Sequence, residues 1–107
     1  VFAYEFLKHH GLQIPNFRSS ELWEDQIFTC TVNGLQPLDL ILLNHNDSAW
    51  GAHVAVYLGE GLVLHLSKDN GYPKIENLQE LQQTPKYKFY IGAKRILVEA
   101  IRMIEQH

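Results

Sequence analysis

Cysteine is nearly missing from this chain: Cys30 stands alone among 107 residues. One thiol forbids an intrachain disulfide and leaves the redox compartment open. It also excludes the paired-cysteine spacings of zinc sites. No apolar run approaches the length of a membrane span. No charged n-region, apolar h-region and cleavage site open the chain, so no secretion signal is visible. No basic stripe runs along any segment, and the formal net charge is −3, so nucleic acid is not an expected partner. Repeats, linkers and low-complexity tracts are absent too. What is present is ordinary: 46% apolar and 20% charged residues, the balance of a globular protein. The length supports one domain, residues 1–107, around one core.

Phe2, Ala3, Phe6 and Leu7 share one face of a helix, and Gly11 stops it. Val1 has no capping residue ahead of it, so the chain reads as cut inside that helix. Leu12 to Arg18 reads as extended, because Pro15 pushes Ile14 out of the helical region. Ser19 and Ser20 are N-cap candidates for a short helix through Glu21, Leu22 and Trp23. Ile27 to Val32 is β-branched and aromatic, a strand pattern. Asn33-Gly34 turns the chain. Leu38 to Leu43 is the nearly continuous apolar run of a buried strand. A polar loop covers 44–52, and another covers 68–73. Asn77 to Gln82 suits a short helix, and Tyr87 to Ile91 alternates like a strand. From Ala93 onward, Ile96, Leu97, Ala100, Ile101 and Ile104 recur at helical spacing, predicting an extra C-terminal helix. Helices followed by mostly antiparallel strands define an α+β fold.

Between the two loops, His53 to Ser67 reads as a β-hairpin with a histidine near each end. If Gly59, Glu60 and Gly61 form the loop, His65 sits opposite Ala55 and Ser67 opposite His53. The two imidazoles are then diagonal neighbours on one face, roughly 7–8 Å apart at the backbone. A two-residue loop shifts the register by one and sends them to opposite faces. Two histidines on one face suggest nucleophilic catalysis, with His53 as the base and His65 fixing its tautomer. From spacing alone the plainer reading stays open: His53 starts a strand and His65 fills a half-buried polar slot.

The surroundings add to this. Asp39-Leu-Ile-Leu-Leu43, the polar loop, the His53 to His65 hairpin, Lys74-Ile-Glu-Asn-Leu78 and Gly92-Ala-Lys-Arg95 together resemble the NlpC/P60 family of papain-like cysteine hydrolases. That family has a Pro-Gly-Asp-Leu strand, a strand opening with the catalytic histidine, a Gly-containing turn, and a strand carrying a third polar residue. Here Pro37-Leu38-Asp39-Leu40 stands for the first element, with Leu38 where the family usually has Gly. The helix Phe2–His10, Gly11 and Ile14-Pro15 look like the nucleophile helix and the Leu-Pro after it. The resemblance implies N-terminal helices packed on a mostly antiparallel sheet. It also implies amide hydrolysis through a thioester, commonly in peptidoglycan stem peptides, and a location in the cell envelope or outside the cell. No cofactor and no metal are implied. Matching Gly11 and Ile14-Pro15 to the family pattern puts the nucleophilic cysteine about two residues before Val1. The stretch Gly59 to Leu66 also resembles the lecithin:retinol acyltransferase-like group, but no cysteine follows His65, as that permuted group requires.

Rival chemistry has less behind it. Cys30 falls on a predicted strand, away from any helix N-terminus that would lower its pKa, so packing is expected of it. His45, His53, His65 and Asp47 could supply zinc ligands, but no His-x-His or His-Glu-x-x-His spacing supports that. His9 and His10 suit a solvated helix end. Asp39 is expected to accept structural hydrogen bonds, and Trp23 to pack in the core. Trp50, in the loop before His53, is a candidate substrate-binding residue. Ser67, a strand-end serine, could hydrogen-bond near His53 and is expected to do nothing more. A non-catalytic papain-like groove that binds a peptide, glycan or protein remains the alternative reading.

Overall fold

The structure is a computed structural model that describes residues 1–67 and 71–97. Helix α1 (Phe2–His9) buries Ala3, Tyr4 and Leu7. Gly11 ends it at φ 78°. The Leu12 N–H donates to the Leu7 carbonyl at 3.0 Å and the Gly11 N–H to the Lys8 carbonyl at 3.1 Å, the paired bonds of a Schellman cap. His9 and His10 are exposed at that end. Helix α2 (Ser19–Glu24) is capped one residue earlier than expected, at Arg18. The Glu21 carboxylate accepts the Arg18 backbone N–H at 2.9 Å. Ser19 serves a tertiary contact instead, donating its Oγ–H to the Ala49 carbonyl at 2.7 Å.

Six strands follow: β1 (Thr29–Val32), β2 (Leu40–Asn44), β3 (His53–Gly59), β4 (Leu62–Leu66), β5 (Pro73–Asn77) and β6 (Phe89–Ile96). Helix α3 (Leu78–Leu81) and a 3-10 turn (Pro85–Tyr87) lie between the last two. The strands form one antiparallel sheet in the order β1-β6-β2-β3-β4-β5. Strand β1 starts later than predicted. The Asp25 carboxylate accepts the N–H groups of Ile27, Phe28 and Thr29, so a turn satisfies the first two donors.

Both faces of the sheet are covered. Helices α1 and α2 pack with Leu40, Leu42 and Val56 on one face. Leu78, Leu81 and Tyr87 pack with Ile41, Leu43, Ala55, Val63 and Ala93 on the other. Strand β2 lies between these layers and is buried along its whole length, which explains its unbroken apolar run. Among the described residues, no helix is long and apolar enough to cross a membrane.

Two expectations need correction. Ala93 to Ile96 do not begin a helix; they end β6, which pairs with β1 and β2. Their charged members concealed the strand. Lys94 is fully buried and donates from Nζ to the carbonyls of Trp23 (3.1 Å) and Asp25 (2.5 Å). Burial holds its pKa below the ordinary lysine value. A β-bulge opposite Leu42 and Leu43 also breaks the alternation. At that bulge, a Cβ on Gly92 would lie 2.4 Å from the Trp23 ring, so only glycine fits under the half-buried indole. The rest of the expected helix, residues 98–107, lies outside the described residues. Second, Pro73 is expected to end a loop and residues 74–76 carry no predicted element, but Pro73–Asn77 is strand β5; residues 68–70 of that expected loop lie outside the described residues. Strand β5 is an edge strand with proline first, a position where a missing N–H costs little.

The hairpin reaches its expected register by another device. The chain turns on Glu60 and Gly61, both at positive φ (54° and 78°), the requirement of a type I′ turn. Gly59 pairs with Leu62, yet Tyr57 pairs with Val63 and Val56 with Leu64. Leu58 is the unmatched residue of a β-bulge. A two-residue turn alone would have separated the histidines; the extra residue restores them to one face.

Candidate active site

Strand β3 opens with His53, paired with Leu43 of β2. Strand β4 carries His65, paired with Lys74 of β5. The register brings the rings together: His53 Nε2 lies 2.9 Å from His65 Nδ1. Their centroids are 5.0 Å apart and the planes nearly perpendicular, at 84°. The Tyr87 ring, from the 3-10 turn, lies 4.8 Å from the His53 ring at 34°. It meets the edge of His65 at 5.9 Å. His53 is half-buried, and His65 is 1% exposed.

A carboxylate stands behind His65. Glu76 Oε2 lies 2.5 Å from His65 Nε2. Its other oxygen is 3.5 Å from Lys74 Nζ. The hydrogen bond from His65, with help from Lys74, holds the Glu76 carboxyl below the ordinary carboxylate range. Glu76 and Tyr87 were not legible as site residues. Pro73-Lys-Ile-Glu-Asn77 lacks the apolar alternation that marks a strand, so nothing in it announced that Glu76 reaches His65.

Two cavities meet at His53. One, about 260 Å³, runs between His53, Leu66 and the start of α1 at Val1, Phe2 and Ala3. The other, about 250 Å³, is bounded by His53, Asn44, His45, Gly51, Lys86 and Tyr87. The first is walled mainly by apolar side chains. The second is more polar.

The remaining residues singled out in the sequence fall elsewhere. The Trp50 indole is 78% exposed and lines neither cavity, although its neighbour Gly51 does. The Trp50 carbonyl accepts a bond from Asn44 Nδ2 at 3.1 Å. Asp39 is buried and structural in its contacts. It accepts Arg95 Nε at 2.9 Å, Arg95 Nη2 at 2.8 Å and the Gln36 N–H at 2.8 Å. Cys30 is half-buried on β1. Its strand is three positions from β3 in the sheet, roughly 14 Å at ordinary strand spacing, too far for a thiol to meet His53. His45 approaches Asn46 Nδ2 at 3.3 Å. Among the described residues, no three His, Cys, Asp or Glu side chains converge to hold a metal ion. Ser67 is buried; its N–H donates to the Tyr72 carbonyl and its carbonyl accepts the Gly71 N–H.

No protein-family model matches the chain, and no curated protein matches it. Among solved structures, it is similar to a crystal structure of an NlpC/P60 family protein from Bacillus cereus. The two are 31% identical with a TM-score of 0.67 over 90% of this chain. The chain spans 30% of that protein's length. The fold is thus the α+β fold of an NlpC/P60-type domain, with helices on an antiparallel sheet.

Proposed function

We propose that this chain is part of an NlpC/P60 family cysteine hydrolase that cleaves an amide bond in a peptide. The observation that supports this most is the His53–His65 contact beside a cavity that reaches the start of α1. The nucleophile in this reading is a cysteine about two residues ahead of Val1, within the ~7 Å that two residues can span from the cavity's edge. His53 takes the thiol proton as sulfur bonds to the amide carbon. It passes that proton to the leaving nitrogen as the C–N bond breaks, giving a thioester and a free amine. Water then attacks the thioester and gives a proton to His53. The proton returns to sulfur as the carboxylic acid leaves. His65 holds the His53 ring, and backbone N–H groups near the nucleophile stabilise the oxyanion. Exposed Trp50 serves as a contact for the substrate beyond the scissile bond. Cell-wall stem peptides are the substrate class the family likeness favours, and with them a site of action in the envelope or outside the cell. Acyltransferases, transglutaminase-like enzymes and toxins share the superfamily's chemistry.

The test uses the protein with its encoded residues ahead of Val1, assayed on peptidoglycan stem peptides. A cysteine is expected in the stated register. Its change to alanine, or His53→Ala, should remove on the order of 10⁶ in rate. If no cysteine stands there, or the alanine variant keeps its activity, the hydrolase reading fails and a peptide-binding groove replaces it.

A further inference from the structure

We infer that Glu76 is a positioning residue that sets the tautomers of both imidazoles and so makes Nδ1 the basic nitrogen of His53. This rests on the hydrolase reading for its consequence, but not for its geometry. Strand β5 places Lys74 opposite His65 and Glu76 opposite Val63, so Glu76 is the diagonal neighbour of His65 on the same face. An ionised carboxylate can only accept hydrogen bonds. Glu76 Oε2 therefore requires a proton on His65 Nε2. A neutral His65 then carries its lone pair on Nδ1 and accepts from His53 Nε2. A neutral His53, with its proton on Nε2, keeps its lone pair on Nδ1. Each link follows from the one before, and Glu76 fixes the first.

Burial makes this order matter. His65 is 1% exposed, so water does not compete for its ring nitrogens, and a wrong tautomer would leave two like groups facing each other at 2.9 Å. Lys74, at 3.5 Å from the other carboxylate oxygen, favours the ionised form of Glu76 that the chain requires. The plainer role, a surface ion pair between Lys74 and Glu76, would add little to stability and would leave the histidines untouched.

Long-range 1H–15N spectra of the isotope-labelled 107-residue chain at neutral pH distinguish the two. Both His53 and His65 should show the Nε2–H tautomer. Glu76→Leu should cost both rings that single tautomer, while Glu76→Gln, which still offers an accepting oxygen, should keep it. An amide spectrum of each variant shows that it remains folded. A wild-type His53 with its proton on Nδ1, a doubly protonated His65, or unchanged tautomers in a folded Glu76→Leu chain would each overturn the inference. In the upstream-extended enzyme, Glu76→Leu should lower kcat by about 10²–10⁴-fold with KM little changed. Normal tautomer results with an inactive extended wild type would sink the hydrolase reading alone.

Discussion

Leu38 holds a backbone conformation that suits glycine. Its φ is 76°, and the Asp39 N–H closes a turn onto the Gln36 carbonyl at 3.1 Å. With Pro37 ahead of it, this is the third position of a type II turn, where φ must be positive. A non-glycine residue there costs roughly 1–2 kcal/mol. Leu38 offsets that cost by packing its half-buried side chain against the α1 core. The two effects can be separated. Leu38→Ala loses the packing and keeps the strain, so it should destabilise by about 1–2 kcal/mol. Leu38→Gly loses the packing and relieves the strain, so it should be more stable than the alanine variant by about 1 kcal/mol. Urea unfolding of the pair measures the difference. Alanine equal to or better than glycine would mean that the turn relaxes to negative φ. The sequence showed an unusual leucine in a Pro-x-Asp turn, but only the backbone angle shows what the leucine endures.

Within the hairpin, the bulge at Leu58 makes a counterintuitive prediction. Removing one residue from a strand ordinarily flips every side chain beyond it. Here Gly59 pairs with Leu62 and Tyr57 with Val63, so Leu58 is the residue without a partner. Deleting it should leave a regular two-residue hairpin with Tyr57 still opposite Val63, and His53 and His65 still on one face. The expected cost is about 1–2 kcal/mol for the lost half-buried leucine. Histidine ring contacts by NMR check the outcome, and loss of the His53–His65 contact in a folded deletion would refute it. The hairpin was legible because both histidines and the glycine turn lie in one continuous stretch. Its bulge was not, since Leu58 looks like any alternating apolar residue. Strand β5 was harder still. Its register is set by pairing with β4, and its own residues are mostly polar because they form an edge. The second half of β6 was hidden for the opposite reason: Lys94 and Arg95 are satisfied by partners that lie 69 and 56 residues away in sequence.

Across the whole molecule, the sheet separates a salt-bridged clamp from the candidate site. Strands β6 and β2 carry a clamp, in which Asp39 at the head of β2 grips Arg95 of β6 and Lys94 of β6 holds the Trp23 and Asp25 carbonyls at the end of α2. Strands β3, β4 and β5 carry the His53–His65–Glu76 chain. The clamp's side chains bond to one another, to the Gly34 and Gln36 backbone and to the end of α2, while His53 sits beside β2 in the sheet. Asp39 is the sharpest probe of this division, because its place at the head of β2, next to the strand that carries His53, invites a catalytic reading. Asp39→Asn keeps the shape but removes the charge that pairs with Arg95, and its amide cannot accept all three of the present bonds. Breaking a buried pair costs about 3–5 kcal/mol. Arg95 is 32% exposed and can recover some hydration, so about 2–3 kcal/mol is expected here. Urea unfolding should show that loss, while the 1H–15N histidine spectrum of the folded variant should match the wild type. Had Asp39 helped to set the imidazoles, the spectrum would change even where the fold survives. A stable Asp39→Asn chain with altered histidine tautomers would therefore reverse the division, making β2 part of the site and the clamp a minor support.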